Sequence, residues 1–511
     1  MMDWPTFIRQ LSARTPLLSA PPGGPAIAGL CYDSRQARPG DLFFALPGAR
    51  DDGTRFVPDA LARGAVAVLF QDGAAAPLHL PADVPAIRAS DARGAMAAAA
   101  AVFYGDPTRD LRVCGITGTN GKTTTAFMLR RLLEASGTPC ALVGTVRYEW
   151  AGHSVPASRT TPEAPDLQRI FAEALAAGQR AAAMEVSSQG LCARRLEGVR
   201  FAAAVFTNLT PEHLDYHRGM EQYYAAKRLL FESLAAQPAP AAPAILNADD
   251  PYGRRLAAEP CLAGLPRIRF SLDPAATPTT AEVRAAAVRC TPDATAFRLL
   301  TPWGDADIRL PLIGRYNVAN ALAAAAAACA LGAPPAALAD AFAGMPGVPG
   351  RLERVPDPAG GRHLFVDYAH TPDALENLLR TLRELAVPPA RLWCVFGCGG
   401  DRDPTKRPVM GRIAADLADA VVLTSDNPRN EPPDAILREI SAGMGARAPV
   451  LADPDRPSAI RAALRLARPG DIVVVAGKGH ETYQEGPSAR RTPMDDRALL
   501  RDALRSTPVS A

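Results

Sequence analysis

The run Gly115-Ile116-Thr117-Gly118-Thr119-Asn120-Gly121-Lys122-Thr123-Thr124 constrains this chain more than any other stretch. It closes an apolar segment, residues 111–117, that reads as a buried strand, and it opens a helical pattern over residues 123–135. A strand, a glycine-rich turn and a helix in that order set backbone N–H groups around a polyphosphate at a helix N-terminus. Glycines permit the turn, because they adopt backbone angles that a Cβ would forbid. Lys122 can reach the β- and γ-phosphates, and Thr123 can offer its hydroxyl to Mg²⁺. Gly118, Thr119, Asn120, Gly121 and Thr124 complete the candidate ATP-binding loop. The general phosphate-loop pattern would put glycine at Ile116, whereas here the glycines stand at 115 and 118. The bland alternative is a glycine turn beside a solvated lysine.

A loop of this kind needs a parallel sheet behind it, and the chain is patterned for one. Apolar runs at 141–146, 181–186 and 202–206 alternate with helical segments, which argues for parallel strands with crossover helices. Residues 245–247 and the stretch 279–300 read as strands at a sheet edge, and 316–331 as a long helix. Before the loop, 41–46 and 65–70 read as strands and 93–104 as an alanine-rich helix that stops at Gly105-Asp106-Pro107. A second break, residues 344–350, precedes short strands at 363–367, 392–396, 420–424 and 471–476, with a helix at 372–385. The last part resembles a dinucleotide-fold sheet but lacks a G-x-G-x-x-G opening, so no dinucleotide is inferred.

The expectation is an α/β protein of three domains: 1–107, a central phosphate-loop domain 108–346, and a Rossmann-like domain 347–511. A length of 511 residues agrees with that count. With 56 Lys and Arg against 53 Asp and Glu, the formal charge is +3, which gives no reason to expect nucleic acid or an electrostatic membrane anchor. Nine cysteines without a Cys-x-x-Cys pair, and an N-terminus without a basic and then apolar leader, read as a cytoplasmic protein with reduced thiols. The longest apolar stretch, 321–331, is mostly alanine and too short to span a bilayer. The richness in alanine and proline is read as genome composition. A monomer is expected.

A phosphate loop alone permits a kinase, a motor, a GTPase or a ligase. Glu185 ends an apolar strand, where a parallel sheet presents its ligands, and could serve a hard cation or simply cap a turn. His213, Asp215 and His217 follow the next strand, a density that suggests a metal or acid/base site as readily as a helix cap. Lys227, taken by itself, reads as a solvated helix lysine.

Taken together, Gly118–Thr124, Glu185-Val-Ser-Ser188, His213-Leu-Asp-Tyr-His217, Gly314-Arg-Tyr-Asn317-Val-Ala-Asn320, Gly350-Arg351-Leu-Glu353 and Asp367-Tyr-Ala-His370-Thr-Pro372 resemble the Mur ligase family in order and spacing, across nearly the whole chain. The resemblance implies a UDP-binding first domain, a central ATPase and a C-terminal lid. ATP would phosphorylate a carboxylate, and an amine would attack the resulting acyl phosphate. Lys122, Lys227 and His213 would be catalytic. Thr123 and Glu185 would hold Mg²⁺ at the ATP phosphates, and His213 with a CO₂-carbamylated Lys227 would hold a second ion. Asn317, Arg351 and Asp367 would complete the ATP site.

Asp426-Asn427-Pro428-Arg429 resembles the D-N-P-R signature of the family's diaminopimelate-adding members. A guanidinium fork suits the extra carboxylate that distinguishes meso-diaminopimelate from lysine, and lysine would leave Arg429 unpaired and facing an ammonium. Arg402, Gly477 and Glu481 match the remaining amino-acid contacts. Ser34, Thr160, Thr161, Ser187 and Arg195 match positions that hold a UDP-N-acetylmuramoyl-L-alanyl-D-glutamate acceptor, with Arg50 near its diphosphate. Relatives that add lysine or another amino acid, and a phosphate-loop switch without ligase chemistry, are the competing readings.

Overall fold

The computed structural model describes residues 1–48, 51–73, 80–358 and 360–506. Arg50 and the side chain of Asp215 lie outside what it describes. Among the described residues three large sheets follow one another along the chain, and a two-stranded sheet stands near its end.

The first sheet runs in the order Leu17–Ser19, Ala86–Ala89, Ala67–Gln71, Asp41–Ala45, Gly29–Cys31, parallel except at the Leu17–Ser19 edge. Helices Trp4–Ser12 and Ala92–Phe103 cover it through Trp4, Phe7, Leu11, Met96 and Val102. After helix Ala92–Phe103 the chain passes through Gly105 and Asp106, both at positive φ.

The second sheet has eleven strands. From Val283–Cys290 to Cys140–Val143 it is parallel, with Arg112–Thr117 between Phe201–Phe206 and Ala181–Glu185. Central strands are buried on both faces, which explains their unbroken apolar runs. The expected edge stretch at 279–300 is an antiparallel pair, Val283–Cys290 with Thr295–Leu300, extended by Ala306–Leu310. At the other edge stands a hairpin that sequence periodicity does not reveal, Arg147–Trp150 with His153–Pro156, turned by Ala151 and Gly152 at positive φ. Its outer strand is exposed throughout, so no apolar alternation marks it.

Helix Lys122–Ala135 packs on helix Arg315–Ala330, whose Ala321 and Ala323–Ala328 are fully buried. The alanines attributed to genome composition therefore have a packing role here: small side chains let that helix lie close to the sheet and to its neighbour.

The third sheet runs Glu353–Val355, His363–Asp367, Ile472–Ala476, Leu392–Phe396, Ala420–Leu423, Leu451–Ala452, parallel except at Glu353–Val355. Helix Pro372–Leu385 buries Leu375, Leu378, Leu379 and Leu382 on one face; helices Arg456–Leu466 and Asp496–Ser506 cover the other. No helix among the described residues is long and apolar enough to cross a membrane.

The loops after the third sheet's strands interlock tightly. A Cβ on Gly397 would collide with the Thr424 carbonyl oxygen and lie 3.1 Å from the Asp426 nitrogen. Gly397→Ala is therefore expected to destabilise the protein by about 1–3 kcal/mol through overpacking, read as a lower urea midpoint.

Candidate active site

The phosphate loop is shaped by glycines that have no room for a side chain. Gly118, at φ 150°, would press a Cβ into the Thr207 hydroxyl, and Gly121, at φ 86°, into the Asn320 carboxamide. Within the loop Lys122 Nζ donates to the carbonyls of Gly118 at 2.9 Å and Thr119 at 2.8 Å. Lys227, from helix Met220–Ala235, donates to the same Gly118 oxygen at 2.8 Å, with its Nζ 4.5 Å from the centre of the Tyr223 ring. Lys227 is only 1% exposed, against the solvated reading that its residue type suggests. Burial pushes both amines below their ordinary pKa. Repulsion from Lys122 lowers Lys227 further, while Glu212 works against the shift.

Glu185 ends its strand inside the protein. Its Oε2 accepts from the hydroxyls of Thr123 and Thr145, each at 2.9 Å, and its Oε1 from the Thr145 N–H at 2.7 Å. A carboxylate and two hydroxyls thus converge beside the phosphate loop, a set of hard oxygen donors that fits Mg²⁺ sharing its shell with phosphate oxygens. Among the described residues no group of three or more His, Cys, Asp or Glu is placed to hold a metal ion. The two expected histidines part company. His217 is buried, stacked on Tyr223 with ring centres 4.8 Å apart, and its Nε2 lies 2.9 Å from the Ser188 hydroxyl. His213 is more open, held at positive φ, 3.8 Å from Glu212 and edge-on to Tyr223.

On one side of the loop, Thr160 lies 3.1 Å from Thr145, hydroxyl to hydroxyl. Ser187 caps helix Ser188–Cys192, and Arg195 donates to the Thr161 carbonyl and pairs with Glu163 at 3.0 Å. Thr161 itself is fully buried, bonding the Glu185 carbonyl and accepting from the Ser187 N–H, so it braces these residues from behind. Ser34 lies apart from this cleft, buried in a turn of the first sheet that Asp33 caps.

The opposite wall comes from the third sheet. Arg351 Nη2 reaches the Thr123 hydroxyl at 3.4 Å while its guanidinium lies over Tyr368, 4.7 Å from the ring centre. Asp367 accepts from the N–H groups of Leu352 and Ala369. Asp373 accepts from Asn120 Nδ2 at 2.8 Å and from the Thr210 hydroxyl at 3.0 Å. The cleft measures about 570 Å³ and is lined by residues 119–124, Thr145, Thr160, Glu185, Ser187, Arg195, Arg351, Asp367 and their neighbours. Asn317 does not reach its wall. That side chain bonds the Ile313 carbonyl and Asn320, and it is Asn320 that faces the cleft. Thr145, Thr210, Glu212 and Asp373 carry no recognisable motif of their own, and only their packing around the loop reveals them; Asn320 stands in the motif at 314–320, but there the expectation fell on Asn317.

Further along the third sheet, Asp426, Asn427, Pro428 and Arg429 meet the loop from Gly477 to Glu485. Asn427 donates to Glu481 at 2.9 Å and accepts from Lys478 at 2.9 Å. Gly477 leaves no space between its Cα and the Asp426 carboxylate. Arg402 is exposed at the rim. Arg429, at positive φ, donates from Nε to Glu485 at 3.0 Å and from Nη1 to the Gly400 carbonyl at 2.8 Å. This corrects the expected cost of binding lysine. Without any substrate carboxylate Arg429 already has an anionic partner, supplied by a hairpin, Tyr483–Glu485 with Arg491–Pro493, that the sequence does not announce.

Three α/β units, with a phosphate loop facing residues of the last across one cleft, define a phosphate-loop enzyme. The chain belongs to the Mur ligase family. Family models match residues 26–104 (Mur ligase family, catalytic domain), 116–328 (Mur ligase middle domain) and 350–479 (Mur ligase, glutamate ligase domain). The UDP-N-acetylmuramoyl-L-alanyl-D-glutamate–2,6-diaminopimelate ligase of Gloeobacter violaceus is 45% identical over 498 residues, covering 97% of this chain and 98% of that one. Its Streptomyces coelicolor namesake is 46% identical over 498 residues, covering 96% and 95%. A solved structure of a ligase with this name is 34% identical, with a TM-score of 0.65 over 94% of this chain and 95% of that one. MurF from Acinetobacter baumannii shares the fold at 21% identity, with a TM-score of 0.69 over 99% of each chain.

His480 packs on Tyr368, ring centres 5.0 Å apart, where the third sheet meets the cleft. Burial, together with Arg351 and Arg497, pushes its pKa from the ordinary 6.5 down to about 4. Between these values the unfolded chain binds the proton that the folded chain refuses, so stability falls as pH drops through this window. His480→Gln is expected to flatten the loss of stability from pH 6.5 to about 4, measured by urea unfolding at a series of pH values.

Proposed function

We propose that this protein is an ATP-dependent, ADP-forming ligase that joins meso-diaminopimelate to UDP-N-acetylmuramoyl-L-alanyl-D-glutamate in cell-wall precursor synthesis. The observation that carries this reading is the single cleft in which the phosphate loop faces Thr160, Ser187 and Arg195 on one side and Arg351 and Asp367 on the other. The names of relatives alike over nearly their whole length, and the Asp426–Arg429 loop adjoining that cleft, support the choice of substrates.

A carboxylate is a poor electrophile because its own charge repels a nucleophile and it has no good leaving group. Transfer of the γ-phosphoryl group to a carboxylate oxygen releases ADP and creates an acyl phosphate. The amine nitrogen then attacks the acyl carbon, the tetrahedral adduct expels phosphate, and the nitrogen loses a proton to give the amide. Bringing two anions together is the main electrostatic obstacle, and Lys122 and Arg351 stand where they can offset it. The carbonyls that now occupy Lys122 would give way to phosphate oxygens. When bound, Mg²⁺ would neutralise phosphate charge, and Thr123 and Glu185 would hold it. Lys227, dry and pushed toward its neutral form, is poised to add CO₂; a C–N bond forms, a proton leaves, and the carbamate would offer oxygen beside His213 to a second ion. Asn320, backed by Asn317, and Asp367 would receive the nucleoside end of ATP.

Ser34 would receive the uridine end of the acceptor at the first sheet, with Thr160, Ser187 and Arg195 along its peptide and Thr161 bracing them. In the amino-acid subsite, Asn427 and Glu481 would take the ammonium end. Arg429 would turn its remaining edge to the distal carboxylate, with Arg402 closing the rim. The enzyme would work as a monomer in the cytoplasm: both cleft walls come from one chain, and all nine cysteines are free.

With UDP-N-acetylmuramoyl-L-alanyl-D-glutamate and ATP present, meso-diaminopimelate is expected to drive ADP release and L-lysine is not. ADP release with lysine alone would overturn the specificity. Arg429→Ala is expected to lower kcat/KM for diaminopimelate by about two to three orders of magnitude while the KM for ATP holds.

A further inference from the structure

We infer that Arg456, held by Asp496, is a positioning residue that sets the geometry of the amino-acid subsite. The inference rests on the reading above, in which the loops at 426–429 and 477–481 receive the amino acid.

Arg456 opens helix Arg456–Leu466, and Asp496 opens helix Asp496–Ser506. Both side chains are 0% exposed. A cation at a helix N-terminus meets the wrong end of the helix dipole, and a buried charge pair is weak evidence of stability. The hydrogen bonds indicate another role. Arg456 donates from Nε and Nη2 to the two oxygens of Asp496, each at 2.7 Å. Its Nη1 donates to the Ser425 carbonyl at 3.0 Å and its Nη2 also to the Ala476 carbonyl at 2.9 Å.

Those two carbonyls sit at the gates of the subsite. Ser425 immediately precedes Asp426, and Ala476 immediately precedes Gly477. Their strands, Ala420–Leu423 and Ile472–Ala476, are not neighbours, because Leu392–Phe396 runs between them. Each pairs with that middle strand, and the loops that leave their ends run beyond those ladders. One planar guanidinium bridges those loops, and Asp496 holds its plane.

The loops are also in direct contact, so a shift is transmitted. Gly477 abuts the Asp426 carboxylate, Lys478 donates to Asn427 at 2.9 Å, and Glu485 holds Arg429. Moving either carbonyl would displace Asn427, Arg429 and Glu481 relative to one another, while residues 118–124 lie on another sheet.

The test is steady-state kinetics on the full-length protein, with separate KM values for diaminopimelate, ATP and the UDP-linked acceptor. A lysine at 456 cannot span both carbonyls and the carboxylate, since its donors radiate from one point. Arg456→Lys and Asp496→Asn are expected to raise the KM for diaminopimelate about tenfold or more and to narrow its preference over lysine, with the other two KM values within about twofold. The paired variant Arg456→Met with Asp496→Leu supplies an apolar replacement that is expected to recover the thermal midpoint but not the KM for diaminopimelate. A loss confined to kcat and thermal midpoint in the single variants, or a KM restored by the apolar pair, would overturn the inference. Should the parent enzyme prefer lysine, the substrate assignment fails, and the same comparison made with lysine still decides the role of Arg456. A parent that uses no amino acid overturns both.

Discussion

Two amine side chains, the part-buried Lys122 and the buried Lys227, converge on the carbonyl oxygen of Gly118. That oxygen is at the turn where the central strand becomes the phosphate loop, and desolvation there pushes the pKa of both amines down. The arrangement costs desolvation energy, and an arriving polyphosphate relieves that cost. Much of the cleft is organised around it. The strand is buried on both faces, Gly118 and Gly121 have neighbours where side chains would be, and Tyr223 offers its ring to Lys227.

Around that point the chain applies one rule of parallel sheets twice: ligands are met at the carboxyl ends of strands. In the central sheet the ends of Arg112–Thr117 and Ala181–Glu185 deliver Gly118 and Glu185. In the third sheet the ends of His363–Asp367, Ala420–Leu423 and Ile472–Ala476 deliver Asp367, Asp426 and Gly477. Arg351 and Asp373 join the two, each touching residues of the phosphate-loop unit. The Mur ligase fold thus brings the carboxyl ends of strands from two separate sheets to face each other.

Legibility in the sequence followed the range of the interactions. The glycine loop, the buried central strands and helices such as Pro372–Leu385 depend on neighbours a few residues away, and their patterns are plain. The hairpins at Arg147–Pro156 and Tyr483–Pro493 are short, and the outer strand of each offers no buried alternation to read. Lys227 and Arg429 illustrate the larger gap. As residue types they suggest solvated charges. In the fold one is sealed under the phosphate loop, and the other is already paired with Glu485, some 56 residues away.

By itself the sequence determined the α/β class, the phosphate loop with its lysine, and the Mur ligase resemblance, because each is written in local spacing or in ordered motifs. Only the tertiary structure decided which groups meet: Thr145 and Thr123 on Glu185, Asp373 on Asn120, Asn320 in place of Asn317 at the cleft wall, and Arg456 between two strand ends. Those contacts join segments far apart in the chain, and a buried charge or hydroxyl takes whatever partner the packing of sheets and helices brings within hydrogen-bonding reach.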